Sequence, residues 1–171
     1  MKTVAVVISA ALMGALSAAT AAPKDQSNQD QAFVDEAARG GKMEVDLGRL
    51  AEQNASDAKV KQFGARMVKD HTKLNSELGT VAKSIGLIIP TALSAGQQTE
   101  YAKLLKLSGL KFDKAYMDLM VSDHTDDLAA FQKEEAATQN PKLKRAVAKA
   151  IPIIQEHLNM AKSDSAELAA G

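Results

Sequence analysis

The sequence predicts an all-α domain, a four-helix bundle built as two antiparallel hairpins. Three observations carry this prediction. Trp is absent and aromatic residues make up only 4% of the chain, while Ala, Leu, Lys, Glu and Gln are abundant, a composition that favours helix over sheet. Apolar residues recur three and four positions apart through four long stretches, the spacing of one helix face. The breaks between these stretches are short, long and short, as in two hairpins joined by a crossover.

Residues 1–21 read as a secretory signal peptide. Lys2 gives a basic start, and the apolar run from Val4 to Leu16 is too short for a membrane span. Ala19 and Ala21 satisfy the A-x-A rule for cleavage. The chain contains no Cys, which excludes a lipoprotein anchor and any disulfide framework. The mature protein is therefore expected in the periplasm, with release to the medium as the other destination, and without a transmembrane segment. About 150 residues then remain, enough for one domain that buries roughly 70% of its unfolded surface. The full chain balances 21 Lys and Arg against 21 Asp and Glu. Loss of Lys2 leaves a net charge of −1, and so no long-range field for nucleic acid or an anionic membrane.

Residues 22–29 are polar and are expected to form a flexible arm, with the bundle spanning 30–169. The first helix is placed over 30–54, on Phe33, Ala37, Gly40, Glu44, Leu47 and Ala51. Gly40, Gly41 and Gly48 fall inside it. Each costs about 1 kcal/mol relative to Ala, which points to close approach by a neighbouring helix. Ser56 is the expected N-cap of a second helix over 57–85, with the stripe Val60, Phe63, Met67, His71, Leu74, Leu78, Val81 and Ile85. The segment from Gly86 to Ser108 is the long crossover. Within it Ser94 and Gln97 form a capping-box pattern that opens a short extra helix. A fourth helix runs to about Thr138 on Phe112, Tyr116, Met120, His124, Leu128 and Phe131. Asn140-Pro141 starts the last helix, whose stripe is Leu143, Val147, Ala150, Ile154, His157 and Ala161. Pro152 falls inside it, where a kink is expected. The order of connections makes the bundle ferritin-like.

One hexapeptide occurs twice, as Met67-Val-Lys-Asp-His-Thr72 and Met120-Val-Ser-Asp-His-Thr125. The third histidine, His157, also follows an acid, Glu156. His71, His124 and His157 each lie on the apolar stripe near the middle of a helix, so all three are expected at one level of the bundle interior. Glu44 occupies the corresponding place on the first helix. This puts one candidate metal ligand on each long helix. Met67, Met120 and Met160 stand three or four residues from the histidines, on the same faces. Imidazole suits zinc, copper and iron, and thioether adds a preference for copper. Asp70, Asp123 and Glu156 are offset by about 100° round their helices. They are placed to accept a ring N–H from a histidine on a neighbouring helix, or to act as alternative ligands.

A di-iron centre needs Glu-x-x-His on two helices, but Val68, Val121 and Ile154 stand three residues before the histidines. Copper or zinc is therefore favoured over di-iron. No Cys nucleophile, phosphate-binding loop or G-x-S-x-G elbow is present, so the expectation is a protein that handles metal or protects the envelope from stress, ahead of an enzyme acting on a small substrate between the helices with a His as general base. The alternative is a structural or interaction module of the envelope in which the acid–His pairs form an interhelical hydrogen-bond layer.

Phe33-Val-x-x-Ala-Ala-x-Gly-Gly, Glu44-Val-x-Leu-Gly, Met67-Val-x-Asp-His, Phe112-Asp-x-x-Tyr-Met and Asp123-His together resemble the exported bacterial family called domain of unknown function 4142. The resemblance covers about Gln31 to Ala161. It implies a ferritin-like bundle and no established reaction.

Overall fold

A computed structural model describes residues 23–170. The signal-peptide assignment, residues 1–21, lies outside them. Five helices follow in order: α1 (Pro23–Asn54), α2 (Ala58–Ser84), α3 (Ala95–Leu104), α4 (Gly109–Ala137) and α5 (Pro141–Ala170). Among the described residues, no helix is long and apolar enough to cross a membrane.

The expected arm at 22–29 is corrected: α1 begins at Pro23. Proline suits the first helical position, because its missing N–H would have no partner there. Asp25 in the first turn complements the helix dipole. Gln26 donates to Asp30 one turn on at 2.8 Å. Asp30 is buried, and Gln29 reaches Glu134 on α4 at 3.4 Å. The local Gln26–Asp30 bond and the Gln29 contact with α4 hold a stretch whose polarity alone suggests a solvated tail.

The cap of α2 is Asp57, where Ser56 was expected. The Asp57 side chain accepts from the N–H groups of Lys59 and Val60. Ser56 is engaged elsewhere: its N–H donates to Asp113 at 3.1 Å, and its hydroxyl bonds the same carboxylate at 2.5 Å. Asp113, fully buried on α4, also accepts the Asp57 N–H at 3.0 Å. One carboxylate thus ties the α1–α2 turn to α4. At the other end of α2, Gly86 adopts φ +81°. Leu87 N–H reaches the Ala82 carbonyl at 2.9 Å and Gly86 N–H reaches that of Lys83 at 3.2 Å, a Schellman stop. The capping box at Ser94 and Gln97 is complete, and α3 rests against α1 and α4. Pro152 is accommodated within α5 on an exposed face.

The long helices pack α1 on α2, α4 on α5, α2 on α5 and α1 on α4. Their apolar residues fall into two clusters. One joins the C-terminal half of α1 (Leu47, Leu50) to the N-terminal halves of α2 (Val60, Phe63) and α4 (Phe112, Tyr116), with Ala161 of α5. The other joins the start of α1 (Phe33, Val34), the end of α2 (Leu78, Ala82) and the start of α5 (Leu143, Val147). It follows that α2 and α4 run parallel, as do α1 and α5, and that the crossover spans the length of the bundle. This is the ferritin-like four-helix arrangement with a short crossover helix. Each fully buried Phe, Leu or Met contributes about 1.5–3 kcal/mol.

Two glycines set the α1–α2 distance. A Cβ on Gly48 would stand 2.6 Å from the Gly64 carbonyl oxygen, and one on Gly64 would stand 2.7 Å from that of Gly48. Neither backbone can yield cheaply, so only glycine permits this crossing. One turn away from it, Glu44 meets α2.

Candidate metal centre

Between the two apolar clusters lies a polar layer. Glu44, His71, His124 and His157 are each at most 4% exposed, and each comes from a different long helix. The three imidazole rings form a compact triangle. Their centroids are 5.5 Å apart for His71 and His124, 5.2 Å for His71 and His157, and 5.4 Å for His124 and His157. One potential ligand nitrogen from each ring lies within 4.8 Å of the other two. Three nitrogens on a single ion would stand about 3.3–3.6 Å apart, given metal–nitrogen distances near 2.0–2.1 Å. Closing the difference requires side-chain movements of about an ångström.

Each ring is held through one nitrogen only. His71 Nδ1 is 2.8 Å from Glu44 Oε2. His124 Nδ1 lies 3.1 Å from the Met120 carbonyl oxygen, which can only accept, so the proton of that ring is on Nδ1. His157 Nε2 is 3.1 Å from Asp70 Oδ2. The remaining nitrogens, His71 Nε2, His124 Nε2 and His157 Nδ1, are buried and have no hydrogen-bond partner. Such a group costs about 1–3 kcal/mol when left unsatisfied. Glu44 Oε1 is also unpartnered and faces His124 Nε2 at 3.4 Å. Both atoms are acceptors, and their lone pairs oppose each other unless a cation or a proton lies between them. This is the donor pattern of a metal site, in which an imidazole bound through one nitrogen is oriented by an acceptor on the other.

The electrostatics keep the lone pairs available. Burial pushes each of the three histidines down to about 4, so all are neutral at pH 7. Burial alone would raise the Asp70 carboxyl, but hydrogen bonds from Arg66 and His157 more than offset it and hold Asp70 below its usual range. Glu44 is raised by burial, while the neighbouring His124 acts the other way. Asp127 is raised well above the ordinary carboxylate range by burial and by the charge of Glu44, to which it is hydrogen-bonded.

The acids next to the histidines have separate roles. Asp70 reaches across to His157 and also pairs with Arg66. Glu156 is exposed and pairs with Arg66 at 3.2 Å. Asp123 touches none of the three rings. Burial, with Asp127, Asp126 and Glu100 nearby, pushes it up to about 7. Met67 and Met120 are fully buried in the first apolar cluster and Met160 packs against it, so the thioethers form one wall of the layer and do not hydrogen-bond to the rings. Asp127 is the residue that sequence reading misses. The available signal was its position three residues after His124, on the same helix face. Within an Asp126-Asp127 run it reads as solvated surface.

A cavity of about 30 Å³ adjoins the layer, lined by Glu44, His71 and Asp127 on one side and by Leu78, Phe131 and Ile154 on the other. That is room for about one water-sized occupant.

The family described as Domain of unknown function (DUF4142) matches residues 15–163. The chain belongs to this family. No curated protein matches it. Among solved structures, it resembles a DUF305 fragment from Deinococcus radiodurans with a TM-score of 0.71 at 13% identity, over 81% of this chain and 96% of that one. It also resembles CopM in the Cu(II)-bound form, with a TM-score of 0.69 at 15% identity over 81% and 96% of the two chains. CopM in the Ag-bound form gives 0.64 at 16% identity over 78% and 93%. At these identities the likeness shows a shared helical-bundle fold.

Proposed function

We propose that this DUF4142 protein binds one transition-metal ion, copper or zinc, at His71, His124 and His157. Glu44 serves as a fourth ligand or as the anchor of His71. The observation that carries the reading is the set of three buried, neutral imidazoles, each tethered through one nitrogen and unsatisfied at the other. A layer selected only to fix helix register would be expected to pair those nitrogens, because every unpaired one lowers stability. The copper- and silver-bound forms of CopM, a protein of the same fold, agree with the reading. With the leader-like first residues, the role is metal handling or stress protection in the cell envelope, without turnover of a substrate. The ring of nitrogen donors would hold and desolvate the ion, Asp70 and the Met120 carbonyl would fix two of the rings, and Glu44 would neutralise part of the charge.

The test is elemental analysis of untagged protein purified from the periplasm, followed by titration of the metal-free protein with copper and zinc. The expected result is one ion per chain, lost in a His71→Ala, His124→Ala double variant. A protein that is isolated without metal and ignores both ions in titration overturns the proposal.

A further inference from the structure

A second cleft reaches the same layer from outside. It is a groove of about 440 Å³ between α1, α3 and α4. Its ionisable lining is entirely acidic: Glu36, Glu44, Glu100, Asp123, Asp126 and Asp127. Among the described residues, Glu100 is the one member of this set paired with a Lys or Arg, namely Lys103 at 3.2 Å. Acidic clusters on a surface are ordinary. This one differs at its floor. Glu44 is 2% exposed, lines the groove, leaves Oε1 without a partner, and holds His71 through its other oxygen at 2.8 Å. A single carboxylate is thus shared by the groove and the three-histidine layer.

We propose that this groove is the entrance through which a divalent transition-metal ion reaches the histidines. The proposal rests on the metal-binding reading above and adds a route and a charge state. Carboxylate oxygens suit hard, hydrated divalent ions, whereas soft monovalent copper and silver prefer sulfur ligands. Glu36, Glu100 and Asp126 lie at the rim, where they attract the ion while it keeps water in its shell. Asp123 and Asp127 lie deeper, and Glu44 completes the transfer as the nitrogens displace the remaining water. A cleft lined by one sign of charge raises association rates by about 10–10³-fold, and the gain fades with added salt. The cavity on the α2–α5 side also touches Glu44 and His71, but Glu77 is the one further acid in its lining apart from Asp127.

The experiment is stopped-flow uptake of Cu²⁺ and of Zn²⁺ by the metal-free full chain at low and high salt. Three proteins are compared: wild type, the rim variant Glu36→Gln, Glu100→Gln, Asp126→Asn, and a control of equal charge change, Glu77→Gln, Glu52→Gln, Glu135→Gln. None of these positions contributes a ligand. The rim variant should bind the same one ion per chain but take it up at least about tenfold more slowly at low salt, with a flattened salt dependence. The control should keep the wild-type rate. A rim variant as fast as wild type, or a control that slows as much, overturns the entrance while leaving the histidine centre intact. Metal that remains bound in the His71→Ala, His124→Ala variant makes the groove an end point and also overturns the proposal. Wild type that takes up no ion overturns both readings together.

Discussion

Replacing His124 by Leu should separate a metal centre from a structural layer, because the two readings predict opposite signs. In the metal-free protein His124 Nε2 and Glu44 Oε1 are both buried acceptors without partners, 3.4 Å apart. Each unsatisfied atom costs about 1–3 kcal/mol. Leucine is close to histidine in volume and removes one of these atoms and their mutual repulsion. What is lost is the hydrogen bond from His124 Nδ1 to the Met120 carbonyl, worth about 0.5–1.5 kcal/mol. The expected net effect is a gain near 1 kcal/mol, or roughly 2–4 °C in melting temperature for a chain of this size. With copper or zinc the order should invert. Free metal at a hundred times its Kd stabilises wild type by about 2.7 kcal/mol, or roughly 5–11 °C, and His124→Leu should respond by less than about 2 °C. Thermal melts followed by circular dichroism, with chelator and with each metal, read both numbers. If the variant melts well below wild type under chelator and neither protein responds to metal, the layer is structural and the reasoning fails.

Three further outcomes follow from the same geometry. Asp70→Asn weakens the acceptor that orients His157 and should lower metal affinity about 10–100-fold, measured by competition titration. Because burial holds the histidines near 4 in place of their ordinary 6.5, protons compete with metal only at low pH: affinity should stay level from pH 7 to about pH 5 and fall below about pH 4, whereas unshifted histidines would lose affinity below about pH 6.5. Gly64→Ala should lower stability by about 1–3 kcal/mol because its Cβ meets the Gly48 carbonyl, while Gly79→Ala, with nothing within 4 Å of the new methyl, should raise it by about 0.5–1 kcal/mol in a chemical denaturation series.

The helices were legible because their stripes are long and their breaks carry strong stop signals, such as Gly86 at φ +81°. The placement of His71, His124 and His157 at one level followed from their central positions in helices of similar length. The first turns of α1 were not legible, since Gln29 meets Glu134 of α4 and Asp30 becomes buried only in the folded bundle. The N-cap was misassigned by one residue because Ser56 and Asp57 are both good caps, and Asp113, distant in sequence, claims the serine. The grouping of the three histidines was readable from helical periodicity, but the distinct surroundings of Asp70, Asp123 and Asp127 were not. Those depend on which neighbour lies on which side of each helix, a property of the assembled bundle.

The repeated hexapeptide shows this dependence most directly. Tandem duplication of a helical hairpin would align α1 with α4 and α2 with α5. The two copies instead lie on α2 and α4, the second helix of one hairpin and the first of the other. These helices run parallel at opposite corners, so the neighbour order relates them by an approximate twofold along the bundle, which also exchanges α5 with α1. Under that operation Asp70, facing His157 on α5, corresponds to Asp123, facing α1. The residue there is Glu44. The carboxyl there offers Asp123 no N–H to accept, and the Asp123 side chain lines the groove together with Asp126 and Asp127. The departure from twofold symmetry thereby separates two sides of one layer. The α5 side presents an oriented imidazole, and the α1 side presents a carboxylate open to the acidic cleft. The proposed donor set has three nitrogens and one carboxylate, too few carboxylates for the four-glutamate, two-histidine di-iron pattern, and its chemistry matches the proposal of a single copper or zinc ion.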